Sequence, residues 1–273
     1  MNRHAPWEMN FIARSIKHSF FLALVLMPIA ACARSAFDGT WRERHARASF
    51  DQPPVSFTIN DGMMVCATCV PAIKAKADGA DQVVAGYESY DSIATHVIDD
   101  HSVELIHKLS GTLCLTEVLN LSASGTKLIL HSVDQHGPTP IKRDDYYERV
   151  GPGPLGSHPI SGLWHLYDSK ALSENAGLIS YKVTAAGVSM TAGDGRRYDA
   201  IFGGPRVALR GDVGKAEVSI RTIDEASFEE NNYRKGQLFH VNTITVSADG
   251  ATINIRSENR VNGRSSTKVL DRL

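Results

Sequence analysis

The sequence predicts an all-β protein made of two small antiparallel up-and-down barrels in tandem, behind an N-terminal export signal. The predictors are apolar residues alternating with a period of two, an internal repeat over most of the chain, and a charged, apolar, small-residue order near the N-terminus. The 273 residues, 42% apolar and 22% charged with a formal net charge of −1, suit a folded protein of one or two domains, and the length favours two. Glycine and proline, 22 and 11, are near their usual share, and apolar residues are dispersed, which argues against collagen-like, disordered and multi-span membrane classes. Near-neutral charge lacks the basic footprint of a nucleic-acid binder, so no nucleic-acid partner is expected.

Residues 1–32 read as the export segment. Arg14 and Lys17 precede an apolar run from Phe20 to Ala31, and Cys32 follows. The run is short for a membrane span, and Pro28 near its end fits a cleavage region better than a continuing helix. A start at Met9 would give a more typical signal length. Ile29-Ala30-Ala31-Cys32 resembles the bacterial lipobox, which would put a lipid on Cys32 and anchor the chain to a membrane. Ala31-Cys32-Ala33 also fits ordinary signal-peptidase cleavage, so both readings stand. Either one places the protein outside the cytoplasm, in the periplasm, where disulfides persist.

The repeat sets the architecture. At an offset of 125, Ile98-Asp99-Asp100 falls on Ile223-Asp224-Glu225, and Ser122-Ala123-Ser124-Gly125 falls on Ser247-Ala248-Asp249-Gly250. At an offset of 123, Gly39-Thr40-Trp41 falls on Gly162-Leu163-Trp164, and Glu148-Arg149 falls on Asp271-Arg272. The copies run from 37 to 150 and from 160 to 273, 114 residues each, and the Gly- and Pro-rich stretch 151–159 reads as a linker. Within each copy, alternation at Val55, Phe57 and Ile59 or at Ile179, Tyr181 and Val183 marks half-buried strands. Asp61-Gly62, Asp194-Gly195, Asp249-Gly250 and Asn262-Gly263 supply the positive φ of tight hairpins. Ala226 to Arg234 could hold a short helix.

About eight short strands per copy can close into a barrel that leaves no exposed edge, with a sandwich as the alternative. Gly-x-Trp on the first strand with an arginine on the last resembles the lipocalins and the wider calycin superfamily, and also exported bacterial proteins with tandem lipocalin-like domains. The resemblance implies that the Trp plugs one barrel end with the Arg packed over it. Carried over copy by copy, it pairs Trp41 with Arg149 and Trp164 with Arg272. The chain lacks the Thr-Asp-Tyr motif of typical lipocalins.

Chemistry-bearing motifs are few. Cys66-Ala67-Thr68-Cys69 reads as a structural disulfide stapling a turn, because Val70-Pro71 and strands surround it rather than a helix, and neither a second Cys pair nor closely spaced His pair completes a zinc site. Redox chemistry and half of a metal site remain the competing readings of the pair. Cys114 is expected as a buried thiol. No nucleophile elbow, P-loop or dinucleotide fingerprint is present, so neither catalysis nor a cofactor nor a metal is expected. Charge differs between the copies: ten Lys+Arg against sixteen Asp+Glu, net −6, in 37–150, and fifteen against thirteen, net +2, in 160–273.

One strand points to a binding site. Alternation puts Leu113, Leu115, Glu117, Leu119 and Leu121 on one face, and the repeat carries them to Leu238, His240, Asn242, Ile244 and Val246. If that face lines the barrel, Glu117, His240 and Asn242 are buried polar groups in need of partners, and a ligand head group could serve. The expected activity is therefore non-catalytic binding of a small apolar or amphipathic molecule. The rivals are a filled-barrel structural or protein-interaction module, and an enzyme or redox protein using the Cys pair.

Overall fold

A computed structural model describes residues 35–44 and 53–273. The export segment and Cys32 lie outside the described residues. The first copy supplies β1 (Gly39–Glu43), β2 (Val55–Asn60), β3 (Met63–Cys66), β4 (Ile73–Lys76), β5 (Gln82–Val83), β6 (Ser92–Asp99), β7 (Ser102–Leu109), β8 (Thr112–Leu121), β9 (Lys127–Asp134) and β10 (Ile141–Pro152). The second supplies β11 (Gly162–Ala171), β12 (Leu178–Val183), β13 (Gly187–Ala192), β14 (Arg197–Ile201), β15 (Val207–Ala208), β16 (Glu217–Asp224), β17 (Ser227–Arg234), β18 (Gln237–Val246), β19 (Thr252–Asn259) and β20 (Ser265–Arg272). The described residues contain no helix, and the stretch suggested as a short one, Ala226 to Arg234, is strand β17. Its residues Phe228, Glu230 and Asn232 are buried while their neighbours are less so, a period of two rather than 3.6.

Two nearly closed ten-stranded antiparallel barrels result, in the orders β4-β3-β2-β11-β10-β9-β8-β7-β6-β5 and β14-β13-β12-β1-β20-β19-β18-β17-β16-β15. Sheet membership thus crosses the repeat boundaries: β11 takes the opening place in the first barrel, and β1 takes it in the second. Stretch 151–159 joins no separate units, because β10 and β11 are neighbours in one sheet. Both barrels close with the same bond, Gly79 N to Thr95 O at 3.0 Å and Gly203 N to Ile220 O at 2.9 Å.

The exchange corrects the closure pairs. Arg149 stacks on Trp164, and Arg272 on Trp41, each 4.2 Å from the ring centroid. Trp41 therefore packs with Tyr181, Phe228, Ile253 and Leu270, and Trp164 with Phe57, Ile93, Val103 and Leu119. The cause is local. A short connection folds β11 back on β10 at a lower loop-closure cost than the distant β1 could match, and both strands carry the Gly-x-Trp that either place receives.

The motif glycines follow from the same contact. A Cβ on Gly162 would stand 2.5 Å from Arg149 Nη1, and one on Gly39 3.0 Å from Arg272 Nη1. Each guanidinium also donates to three main-chain carbonyls, those of Gly125, Pro159 and Ser161 for Arg149 and those of Ala36, Asp38 and Gly250 for Arg272. Each Trp indole donates to a carbonyl four residues earlier, at 2.9 Å.

Candidate functional site

Each barrel is hollow. The first holds a cavity of about 250 Å³ walled by apolar side chains, among them Phe57, Met64, Ile93, Leu105, Leu119 and Trp164. They face inward because alternation on β2, β7 and β8 turns every second residue to the interior. Into this wall the sequence sets one polar pair, with His107 Nε2 2.9 Å from Glu117 Oε2. Their side chains are 4% and 21% exposed, so the pair is largely shielded from water. The remaining ring nitrogen of His107, Nδ1, has no hydrogen-bond partner among the described residues.

Tyrosines surround the pair. The Tyr90 ring lies edge-on to His107 at 4.5 Å and stacks on Tyr87 at 4.7 Å. Burial pushes the Tyr90 hydroxyl far above its ordinary pKa, with Tyr87 and Glu117 adding to the shift. Burial does the same to Tyr147, helped by the nearby carboxylates of Asp145 and Glu117. Both tyrosines stay protonated and line the cavity as neutral groups able to donate. Cys66 and Cys69 form the expected disulfide, which is part of the same wall, and Cys114 is a free buried thiol.

The second barrel holds a larger and more polar cavity of about 500 Å³. Glu230, 6% exposed, is its centre: Tyr198 donates to Oε2 at 2.6 Å, and Asn232 and Asn242 donate to Oε1 at 2.9 and 3.0 Å. Ser257 donates to Asn242 Oδ1 at 2.7 Å, which fixes the amide so that its NH₂ points at the carboxylate. Burial and the carboxylate together hold the Tyr198 hydroxyl well above its ordinary pKa.

Part of this wall comes from the first barrel. Glu88 and Ser89, in the loop between β5 and β6, and Asp134 and His136, at the end of β9, line the second cavity. Glu88 Oε2 lies 2.7 Å from His240 Nδ1, and Arg234 donates to the Glu88 carbonyl. Burial opposes the charge on His240, but the bond to Glu88 outweighs it and raises the pKa. His136 sits between Asp134, 2.8 Å from Nδ1, and the Ser89 carbonyl, 2.7 Å from Nε2. Burial opposes its charge too, yet these bonds push its pKa up to about 10. Among the described residues no three His, Cys, Asp or Glu side chains are grouped to hold a metal ion.

The three residues proposed from sequence all line cavities, Glu117 in the first barrel and His240 and Asn242 in the second. The alternation that located them breaks at one end. Lys108 pairs with Leu113 and His107 with Leu115, so Cys114 is an extra residue that bulges inward and leaves Leu113 39% exposed. The same bulge at Phe239 leaves Leu238 39% exposed. Sequence reasoning missed His107 and Glu230. The signal was present, since the offset of 125 maps His107 onto Asn232 and Leu105 onto Glu230 on the strand next to the one singled out. Glu88 carried no such signal, because it reaches the second cavity from the other barrel.

No family model matches the chain, and neither a curated protein nor a solved structure is found similar to it.

Proposed function

We propose that the first barrel is a binding chamber for a small molecule, apolar over most of its surface and bearing one hydrogen-bonding group, in a non-catalytic protein of the bacterial cell envelope. The observation that carries this reading is the single His107–Glu117 pair in a hollow walled otherwise by apolar side chains and two tyrosines. A buried nitrogen without a partner costs about 1 to 3 kcal/mol, and a hollow left in the core costs packing energy as well. An occupant restores the packing, and its polar group finds the carboxylate and the Tyr90 and Tyr147 hydroxyls within the same wall. At the roughly 30 Å³ that a water takes in the liquid, the cavity admits on the order of eight non-hydrogen atoms.

Two further readings accompany it. The Gly-x-Trp strands closed by Arg149 and Arg272 support membership of the calycin superfamily. The order from Arg14 to Cys32, together with a Cys66–Cys69 disulfide, supports export and a lipid anchor on Cys32 in the periplasm.

Calorimetric titration of the whole chain with 4-ethylphenol tests the chamber. Binding is expected, weakened several-fold by Glu117→Gln and abolished by Leu119→Phe, which fills the space. Affinity unchanged by both substitutions would place the ligand elsewhere and overturn the reading. For the anchor, Cys32→Ser is expected to move the protein from the membrane fraction to the soluble one.

A further inference from the structure

We propose that the second cavity is a separate binding site for a small organic cation, an amine protonated at neutral pH, with the Glu230 carboxylate as its counter-charge. This does not rest on the first chamber's reading, since it uses a different cavity and different residues.

The charges of the wall carry the argument. Arg196 pairs with Asp194 and Asp212, and Arg234 reaches Asp212. His136 pairs with Asp134, His240 with Glu88 and Lys268 with Glu43. Every other charged side chain lining the cavity is therefore matched, whereas Glu230 has no Lys, Arg or His in ion-pair contact among the described residues. All three of its partners are neutral donors, Tyr198, Asn232 and Asn242, so it is held as an acceptor. A carboxylate offers about four acceptor positions, which leaves room for one more donor. His240, in the same wall, feels the Glu230 charge but is bonded to Glu88. A buried carboxylate without an ion pair of its own is unfavourable, and a bound cation lowers that penalty.

The rest of the wall selects the kind of cation. A hard metal ion wants six or more oxygen ligands, and the other carboxylates here are already engaged in ion pairs. Ile179, Met190, Leu209, Phe239 and Ile255 offer apolar surface for an organic body, and about 500 Å³ is ample for one. Tyr181, also in the wall, adds an aromatic ring of the kind that attracts an ammonium. Arg196 is committed to Asp194 and Asp212. Arg234, in contrast, donates to the Glu88 carbonyl, stands 3.8 Å from Asp212 and keeps Nε without a partner among the described residues, so a carboxylate probe is the direct rival of the ammonium.

The test is calorimetric titration of the whole chain at pH 7 with three probes of similar shape: 2-phenylethylammonium, 2-phenylethanol and 3-phenylpropionate. The ammonium is expected to bind at least tenfold more tightly than the other two. Glu230→Gln should erase that preference, whereas Glu229→Gln, on the neighbouring outward-facing residue paired with Arg221, should leave it intact. Equal or tighter binding of the alcohol or the carboxylate overturns the proposal, as does an undiminished preference in Glu230→Gln or a failure of the ammonium to bind at millimolar concentration. If Glu230→Gln does not fold, the side-chain amide resonances of Asn232 and Asn242 in the unsubstituted protein decide. Shifts on adding ammonium but not alcohol support the site, and silent amides with ammonium bound elsewhere overturn it.

Discussion

At the scale of single residues, the closing arginines and His136 make the clearest statements. Arg149 combines a stacked indole with three carbonyl acceptors, so Arg149→Ala should lower stability by about 1 to 3 kcal/mol in denaturant unfolding. A double-mutant cycle then distinguishes the two pairings. Arg149→Ala and Trp164→Ala should couple, whereas Arg149→Ala and Trp41→Ala should add, because those two side chains sit in different barrels. His136 makes stability depend on pH. Its folded pKa of about 10 lies above the unfolded value of about 6.5, so it contributes in full below pH 6.5 and its contribution fades as the pH rises through 10. Melting temperature should therefore fall between pH 7 and pH 10, and His136→Gln should flatten that part of the profile. Asp134 sets the other limit. Burial opposes its ionisation, but bonds from His136 hold its pKa below the usual range, so the pair weakens again only in strong acid.

At the scale of elements, alternation explains which face each strand buries, and the bulges explain where it fails. On β7, Val103, Leu105, His107 and Leu109 are buried in strict alternation, and the burial places an ionisable ring in the core. That ring is tolerable because β8 brings Glu117 opposite Leu105, two residues along the ladder from His107 and on the same face. The Cys66–Cys69 bridge ties the turn between β3 and β4, a loop so short that chain entropy gives it about 2 kcal/mol. Reduction of the purified protein should lower its urea midpoint by a matching amount, and Cys66→Ser with Cys69→Ser should do the same with no further response to reductant. A bridge from either cysteine to Cys114 in mass mapping would contradict the pairing. Here the sequence was legible: strands, Gly turns, the disulfide and the inward phase of Glu117 and Asn242 all follow from short-range pattern. The bulges at Cys114 and Phe239 were not legible, since an extra residue in a ladder is a property of two strands together.

At the scale of the whole molecule, the exchanged opening strands make each barrel depend on both halves of the chain. β1 lies between β12 and β20, with Leu273 N bonded to Thr40 O at 3.0 Å, and β11 lies between β10 and β2. A protease site introduced at Leu155, which is fully exposed, should thus yield two fragments that co-elute under native conditions and part only when denatured. Fragments that separate without denaturant would contradict the exchange. The second cavity depends on the same union, because Glu88 and His136 reach it from the first barrel. By itself the sequence determined the all-β class, the tandem repeat, the Trp and Arg that close each barrel, and the three polar residues on inward faces, because these rest on side-chain period, turn chemistry and repetition along one chain. Only the tertiary structure decided which barrel receives each opening strand, which Arg meets which Trp, and that Glu230 sits among neutral donors with no ion pair of its own among the described residues. Gly39-Thr40-Trp41 and Gly162-Leu163-Trp164 offer the same Gly and Trp to a closing arginine, so the motif does not separate the two arrangements. Chain connectivity and packing between distant segments decide between them.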